Sequence, residues 1–113
     1  MATINYTKLE LNVGIAFTWP AMAAGDDGQT IDRFDLADRS IQFSGAFSGC
    51  TMVLEGSNDG VEWQTLYDPH GVPLSFTAPA LASIDPITRW VRPKRTGGTG
   101  SSVTATLFGK YSK

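Results

Sequence analysis

The chain has 113 residues, 42% of them hydrophobic and 18% charged, with a formal net charge of −2. That length fits one domain, burying roughly 65% of its extended surface, enough for a core without staples. The composition excludes a disordered chain, the missing basic excess argues against nucleic acid as a partner, and the lightly charged surface suits lasting contact with a neighbour.

Met1 to Glu10 has no clear period and reads as a candidate N-terminal arm, with Tyr6 and Lys8 as candidate contact residues. Val13, Ile15, Phe17 and Trp19 then alternate with Asn12, Gly14, Ala16 and Thr18, the period-two signature of a half-buried strand, which Pro20 is expected to end or demote to a sheet edge. The stretch 11–25 mimics a secretory leader, but Glu10 and Asn12 adjoin its apolar part and Lys8 is the one basic residue before it, so it is expected to be retained. Pro20, Asp26 and Asp27 interrupt this most apolar stretch, leaving no run long enough to span a bilayer, and no membrane partner is expected. Ala24 to Gln29 reads as an acidic, Gly-containing loop, and Thr30 to Leu36 as a short strand; the acids continue through Asp32, Asp35 and Asp38.

Ile41, Phe43 and Phe47 share one parity, and Cys50, Met52 and Leu54 repeat the pattern. Ser57-Asn58-Asp59-Gly60 supplies turn chemistry, with Gly60 able to take positive φ, so Val61 to Tyr67 is expected to return as a strand. Asp68-Pro69-His70-Gly71 marks another turn leading into Val72 to Thr77, and Ala80 to Ile84 lies between Pro79 and Pro86 as a strand or a single helical turn. Arg89 to Arg95 and Ser102 to Tyr111 complete the pattern, joined by a Gly-rich loop. About eight short strands without a convincing helix predict an all-β, single-domain antiparallel β-sandwich.

No set of residues points to catalysis. Cys50 is the single cysteine, expected as a buried thiol, and His70 the single histidine, placed in a turn; together they supply too few donors for a zinc site. Asn58, Asp59 and Glu62 put three oxygen-bearing side chains around one loop, without the spacing of an EF-hand, and local turn chemistry accounts for them. No metal, cofactor or enzymatic activity is therefore expected. Trp63 and Trp90 raise the alternative of sugar stacking; Trp63 is expected in the core, and Trp90 on a partly exposed flank. Arg89, Arg92, Lys94 and Arg95 form one concentrated basic patch, opposed by the acids between Asp26 and Asp38, and two readings stand: docking onto a partner, or pairing within the chain. Edge strands at Asn12 to Trp19 or near the C-terminus offer another docking route.

The strand ending in Leu54-Glu55-Gly56-Ser57-Asn58-Asp59-Gly60, followed by Trp63, resembles a segment of short virion proteins of tailed bacteriophages. Trp90-Val91-Arg92-Pro93, Thr96-Gly97-Gly98 and Ser102-Val103-Thr104-Ala105-Thr106-Leu107 extend the resemblance to about residues 40–108. The group it resembles best is the small capsid decoration, or cement, proteins. The resemblance implies a jelly-roll-like fold, a place on the outer surface of the head shell after synthesis in the host cytoplasm, the major capsid protein as partner, and contacts between copies. A tail, collar or fibre-base domain, or a carbohydrate-binding sandwich, is the alternative.

Overall fold

Residues that alternate apolar and polar can bury one face of a strand while wetting the other. In the computed structural model, which describes residues 3–32, 36–85, 88–99 and 103–111, this pattern gives eleven strands among the described residues. They are β1 (Thr3–Ile4), β2 (Thr7–Glu10), β3 (Gly14–Met22), β4 (Asp27–Gly28), β5 (Leu36–Ser44), β6 (Thr51–Ser57), β7 (Gln64–Thr65), β8 (Ser75–Phe76), β9 (Ala80–Ser83), β10 (Trp90–Thr96) and β11 (Val103–Tyr111).

The strands form two sheets. One has the order β2-β3-β11-β5-β9; the other runs β1-β4-β10-β6, with β7 and β8 following one another along the far edge of β6. Leaving aside β1, β2 and β7, the sheets read β3-β11-β5-β9 and β4-β10-β6-β8. The chain changes sheet at every connection between these eight strands except β6 to β8. That interleaving is the jelly-roll arrangement, so the protein is an all-β sandwich of jelly-roll type.

The inward faces supply the core. Ile15, Phe17 and Trp19 on β3, Ile41 and Phe43 on β5, and Val103, Ala105 and Leu107 on β11 pack against Met52 and Leu54 on β6 and Val91 on β10. Each large apolar side chain buried this way contributes about 1.5–3 kcal/mol. Cys50 belongs to the same cluster as a buried free thiol.

Several expectations need correction. Val13 is 62% exposed, because Leu11 N–H donates to Gly14 O (2.8 Å) and turns the chain at Asn12-Val13, so β3 starts one residue later. Pro20 neither ends β3 nor puts it on an edge. Between Met22↔Val103 and Trp19↔Ala105 the register slips, which places Pro20 and Ala21 in a bulge where the ladder asks nothing of the missing N–H, and Ala21 takes φ 53°. The stretch Met1 to Glu10 is no free arm over its described part. β1 pairs with β4 and β2 with β3, so residues 3–10 join both sheets; residues 1 and 2 lie outside the described set.

The returning strand after the Ser57–Gly60 turn shrinks to β7, because Asp59 Oδ1 accepts the N–H groups of Val61 and Glu62 (2.9 Å each) and takes them away from β6. Asp68 Oδ1 likewise captures His70 and Val72 N–H (2.9 Å each), leaving only Ser75–Phe76 of the expected 72–77 strand in β8. Ala80 to Ser83 is strand, not helix. Of Thr30 to Leu36, Ile31 makes one bridge to Val91, Leu36 opens β5, and residues 33–35 lie outside the described set.

Candidate interaction surface

The two sheets present opposite chemistries to solvent. Across the first, in-register rows read Leu9-Ala16-Phe108-Ser40-Ser83 and Thr7-Thr18-Thr106-Gln42-Leu81, without a charge, while Lys110 of β11, opposite Gly14, is exposed beyond them. The second carries a charged ladder. On β10, Val91, Pro93 and Arg95 face inward, whereas Trp90, Arg92 and Lys94 are half-buried on the outer face.

Arg92 stands opposite Glu55 of β6, and its Nε donates to Glu55 Oε1 at 3.1 Å. Its Nη1 lies 3.8 Å from Asp27 Oδ2, and its guanidinium stacks 4.1 Å from the Trp63 ring centroid. Lys94, in register with Asp27, brings Nζ to 3.7 Å from Asp27 Oδ1, an ion pair longer than a hydrogen bond. Arg89 reaches Asp32 Oδ1 (Nε, 3.4 Å) and lies 4.5 Å from the Trp90 ring centroid. Two acids of the run are thus brought against the basic patch rather than held apart: Asp27 and Asp32 partner three of its four cations. Of the two readings, the described residues show pairing within the chain, and the paired groups stay partly solvated.

Arg95 leaves this surface altogether. It is 0% exposed, with Nη1 donating to Met22 O (2.6 Å), Nη2 to Thr99 O (2.7 Å) and Nε to Gly97 O (3.4 Å). Its parity with Val91 and Pro93 carries it inward, so as a candidate contact it is corrected to a structural residue. Tyr6 is also engaged internally. Its ring packs edge-on against Phe17 (4.9 Å) and Trp19 (5.9 Å), and its N–H donates to Gln29 Oε1 (3.2 Å). Lys8 is exposed on β2.

Trp63, expected in the core, is half-buried on the outer side beneath Arg92; Trp90 is half-buried as expected. Gly60, at φ 78°, brings the turn against Trp90, where an added Cβ would lie 3.5 Å from the ring. An open cleft of about 350 Å³, lined by neither indole, includes Asn58, Asp59, Glu62, Gln64, Thr65 and Thr88. Much of its polarity is committed to the loop. Asp59 Oδ1 accepts from Ser57 Oγ, Val61 N–H and Glu62 N–H, Ser57 Oγ accepts from Gly60 N–H, and Asn58 Oδ1 accepts from Arg89 N–H. The N–H of Glu62 first, then that of Val61 and the Ser57 hydroxyl, hold the Asp59 carboxyl below its ordinary pKa. Among the described residues no group of three or more His, Cys, Asp or Glu is arranged to hold a metal ion. His70 sits exposed in its turn, and Cys50 is buried.

The docking edges also differ from expectation. β3 lies between β2 and β11, and β11 is the middle strand of its sheet, so neither offers a free edge along its paired length. The edges of that sheet are β2 and β9. Glu55, which the sequence reading did not single out, is the anchor of the charged ladder; its signal was a lone acid on β6 among otherwise uncharged residues.

No family model and no curated protein matches the chain. Solved structures do resemble it. The SPBc2 prophage-derived protein YomS superposes with a TM-score of 0.65 at 10% identity, over 90% of this chain and 98% of that one. The PBSX exported protein XepA gives 0.49 at 15% identity over 96% and 37%, and the Schizosaccharomyces pombe Cnp3 cupin domain 0.43 at 11% over 96% and 60%. At 10% identity the likeness to YomS is one of fold, and the class that the strand order defines is the jelly-roll β-sandwich.

Proposed function

We propose that the protein is a non-enzymatic virion component that decorates the outer surface of a phage head shell and stabilises it by bridging major capsid proteins. The observation carrying this reading is the fold match of 90% of the chain to a prophage-derived protein, joined to the virion-protein resemblance of residues 40–108. The two outer faces support it. A sheet face with two rows free of charge suits broad, dry contact, and the Arg92-Glu55-Asp27-Lys94 ladder supplies a polar face whose net charge is small, so contact there costs little long-range repulsion.

A cement protein works by linkage. It binds the expanded, assembled shell more tightly than free subunits, and that difference adds to the stability of the assembled form. Purified protein added to empty mature shells should bind them and raise their resistance to heat and low ionic strength. Shells that take up none of it, and that withstand both stresses equally well without it, would overturn the reading. The alternative of a tail, collar or fibre-base domain differs in copy number, a lattice-wide complement against that of a single ring. A carbohydrate-binding role is less favoured, because a guanidinium already covers one face of both Trp63 and Trp90.

A further inference from the structure

The outer edge of β2 is the most exposed strand in the fold, all four residues Thr7 to Glu10 being open to solvent. Three of the exposed large apolar side chains cluster on it and on the turn that follows: Leu9 at 61%, Leu11 at 45% and Val13 at 62%. The inner edge is fully specified by pairing with β3, through Thr7↔Thr18, Lys8↔Phe17, Leu9↔Ala16 and Glu10↔Ile15. Leu11 N–H donates to Gly14 O, which fixes Leu11, and by alternation Leu9 and Thr7, as the residues whose main-chain groups point at β3. The main-chain N–H and C=O of Lys8 and Glu10 therefore point outward, away from the sheet. A second strand laid against this edge must bond to Lys8 and Glu10.

If that second strand is another β2, an antiparallel arrangement about a two-fold axis allows three registers. One centred on Lys8 places two ammonium groups opposite each other, and one centred on Glu10 places two carboxylates opposite each other; like charges in these positions are destabilising. The register centred on Leu9 instead puts each Lys8 opposite the other copy's Glu10. It forms four main-chain hydrogen bonds and two opposite-charge pairs. It also makes Leu9 face its own copy at a non-hydrogen-bonded position, where side chains come closest, and brings Thr7 opposite Leu11. Lysine on an edge strand ordinarily discourages pairing. Here the glutamate two residues on converts that guard into a register key.

We infer that a second copy of this chain docks on β2 by antiparallel strand addition about a two-fold axis at Leu9, joining two five-stranded sheets into one ten-stranded sheet. The inference holds for the free protein and does not rest on the capsid reading. Four main-chain hydrogen bonds along a four-residue strand place the contact among transient pairings that gain weight when copies are held close together.

Sedimentation velocity on the full chain, from micromolar to millimolar concentration, tests this. The unsubstituted protein should pass from monomer to dimer across that range. Lys8→Glu and Glu10→Lys should each weaken dimerisation at least tenfold, and the double exchange Lys8→Glu/Glu10→Lys should restore it, because only the swapped pair recreates opposite charges in the Leu9 register. Melting curves in the dilute, monomeric range should coincide for all four proteins, since both side chains are exposed. A chain that stays monomeric throughout, single variants that dimerise like the parent, or a double exchange that fails to recover would each overturn the inference.

Discussion

Replacing Arg95 by Met separates a structural arginine from a docking arginine. The parent side chain is 0% exposed and binds carbonyls from two segments, Met22 at the end of β3 and Gly97 and Thr99 in the loop after β10. Methionine keeps most of the apolar stem, so little cavity forms. What disappears is a pair of short, charge-assisted bonds to Met22 O and Thr99 O, at 2.6 and 2.7 Å, worth about 1.5–3 kcal/mol each. Relief of the buried charge, several kcal/mol, offsets part of that loss, yet the Met22 carbonyl remains inside without its donor at ~1–3 kcal/mol, while that of the exposed Thr99 can turn to water. The net expectation is a loss of about 2–3 kcal/mol, or a Tm lower by roughly 10 °C for a chain of this size. Arg95→Lys should fall between, since a single ammonium cannot span the same set of carbonyls. Urea unfolding followed by tryptophan fluorescence measures both. An Arg95→Met protein within about 0.5 kcal/mol of the parent, the usual range for surface changes, would refute the reasoning.

Arg92→Ala removes the 3.1 Å contact to Glu55 and the stack on Trp63, so it should cost about 1 kcal/mol in urea and raise acrylamide quenching of tryptophan. Gly98→Ala would set a Cβ 2.7 Å from both the Cβ and the N of Cys50 at φ 77°; thermal melts should show a loss of about 1–3 kcal/mol. For Asp59, the folded pKa is depressed below the ordinary 3.8, so its contribution to stability is complete above that pH and is lost as pH falls through the folded value. Asp59→Asn should flatten the acid side of a stability-against-pH profile below pH 4 while leaving its neutral shape unchanged; an acid limb as steep as the parent's would contradict the assignment.

The strands with strict alternation were legible because burial of one face imposes period two. Ile15 to Trp19, Ile41 to Leu54 and Val103 to Leu107 all enter the core with the expected parity. The short strands were not legible: β1, β4, β7 and β8 have two residues each, too few for a period, and their place is set by partners distant in sequence. Pro20 was misread because a bulge is a property of the pair β3 and β11, invisible in β3 alone. For the surface, grouping Arg92, Lys94 and Arg95 by proximity concealed what their parity stated, that one of them must point the opposite way. The pairing of Asp27 with Lys94 required knowing that β4 lies beside β10.

The strand order also bears on how the chain is made. β10 lies between β4 and β6, and β11 between β3 and β5, so the middle of each sheet comes from the last two strands in the sequence. During synthesis, β3 and β5 emerge with their facing edges unpaired and wait for a strand that the ribosome has yet to deliver. No stable portion can close early, and the nascent chain exposes apolar strands until β11 is released. Folding is then a single late event, slowed by loop closures that span most of the polypeptide, and truncation before β11 should yield insoluble product rather than a smaller domain.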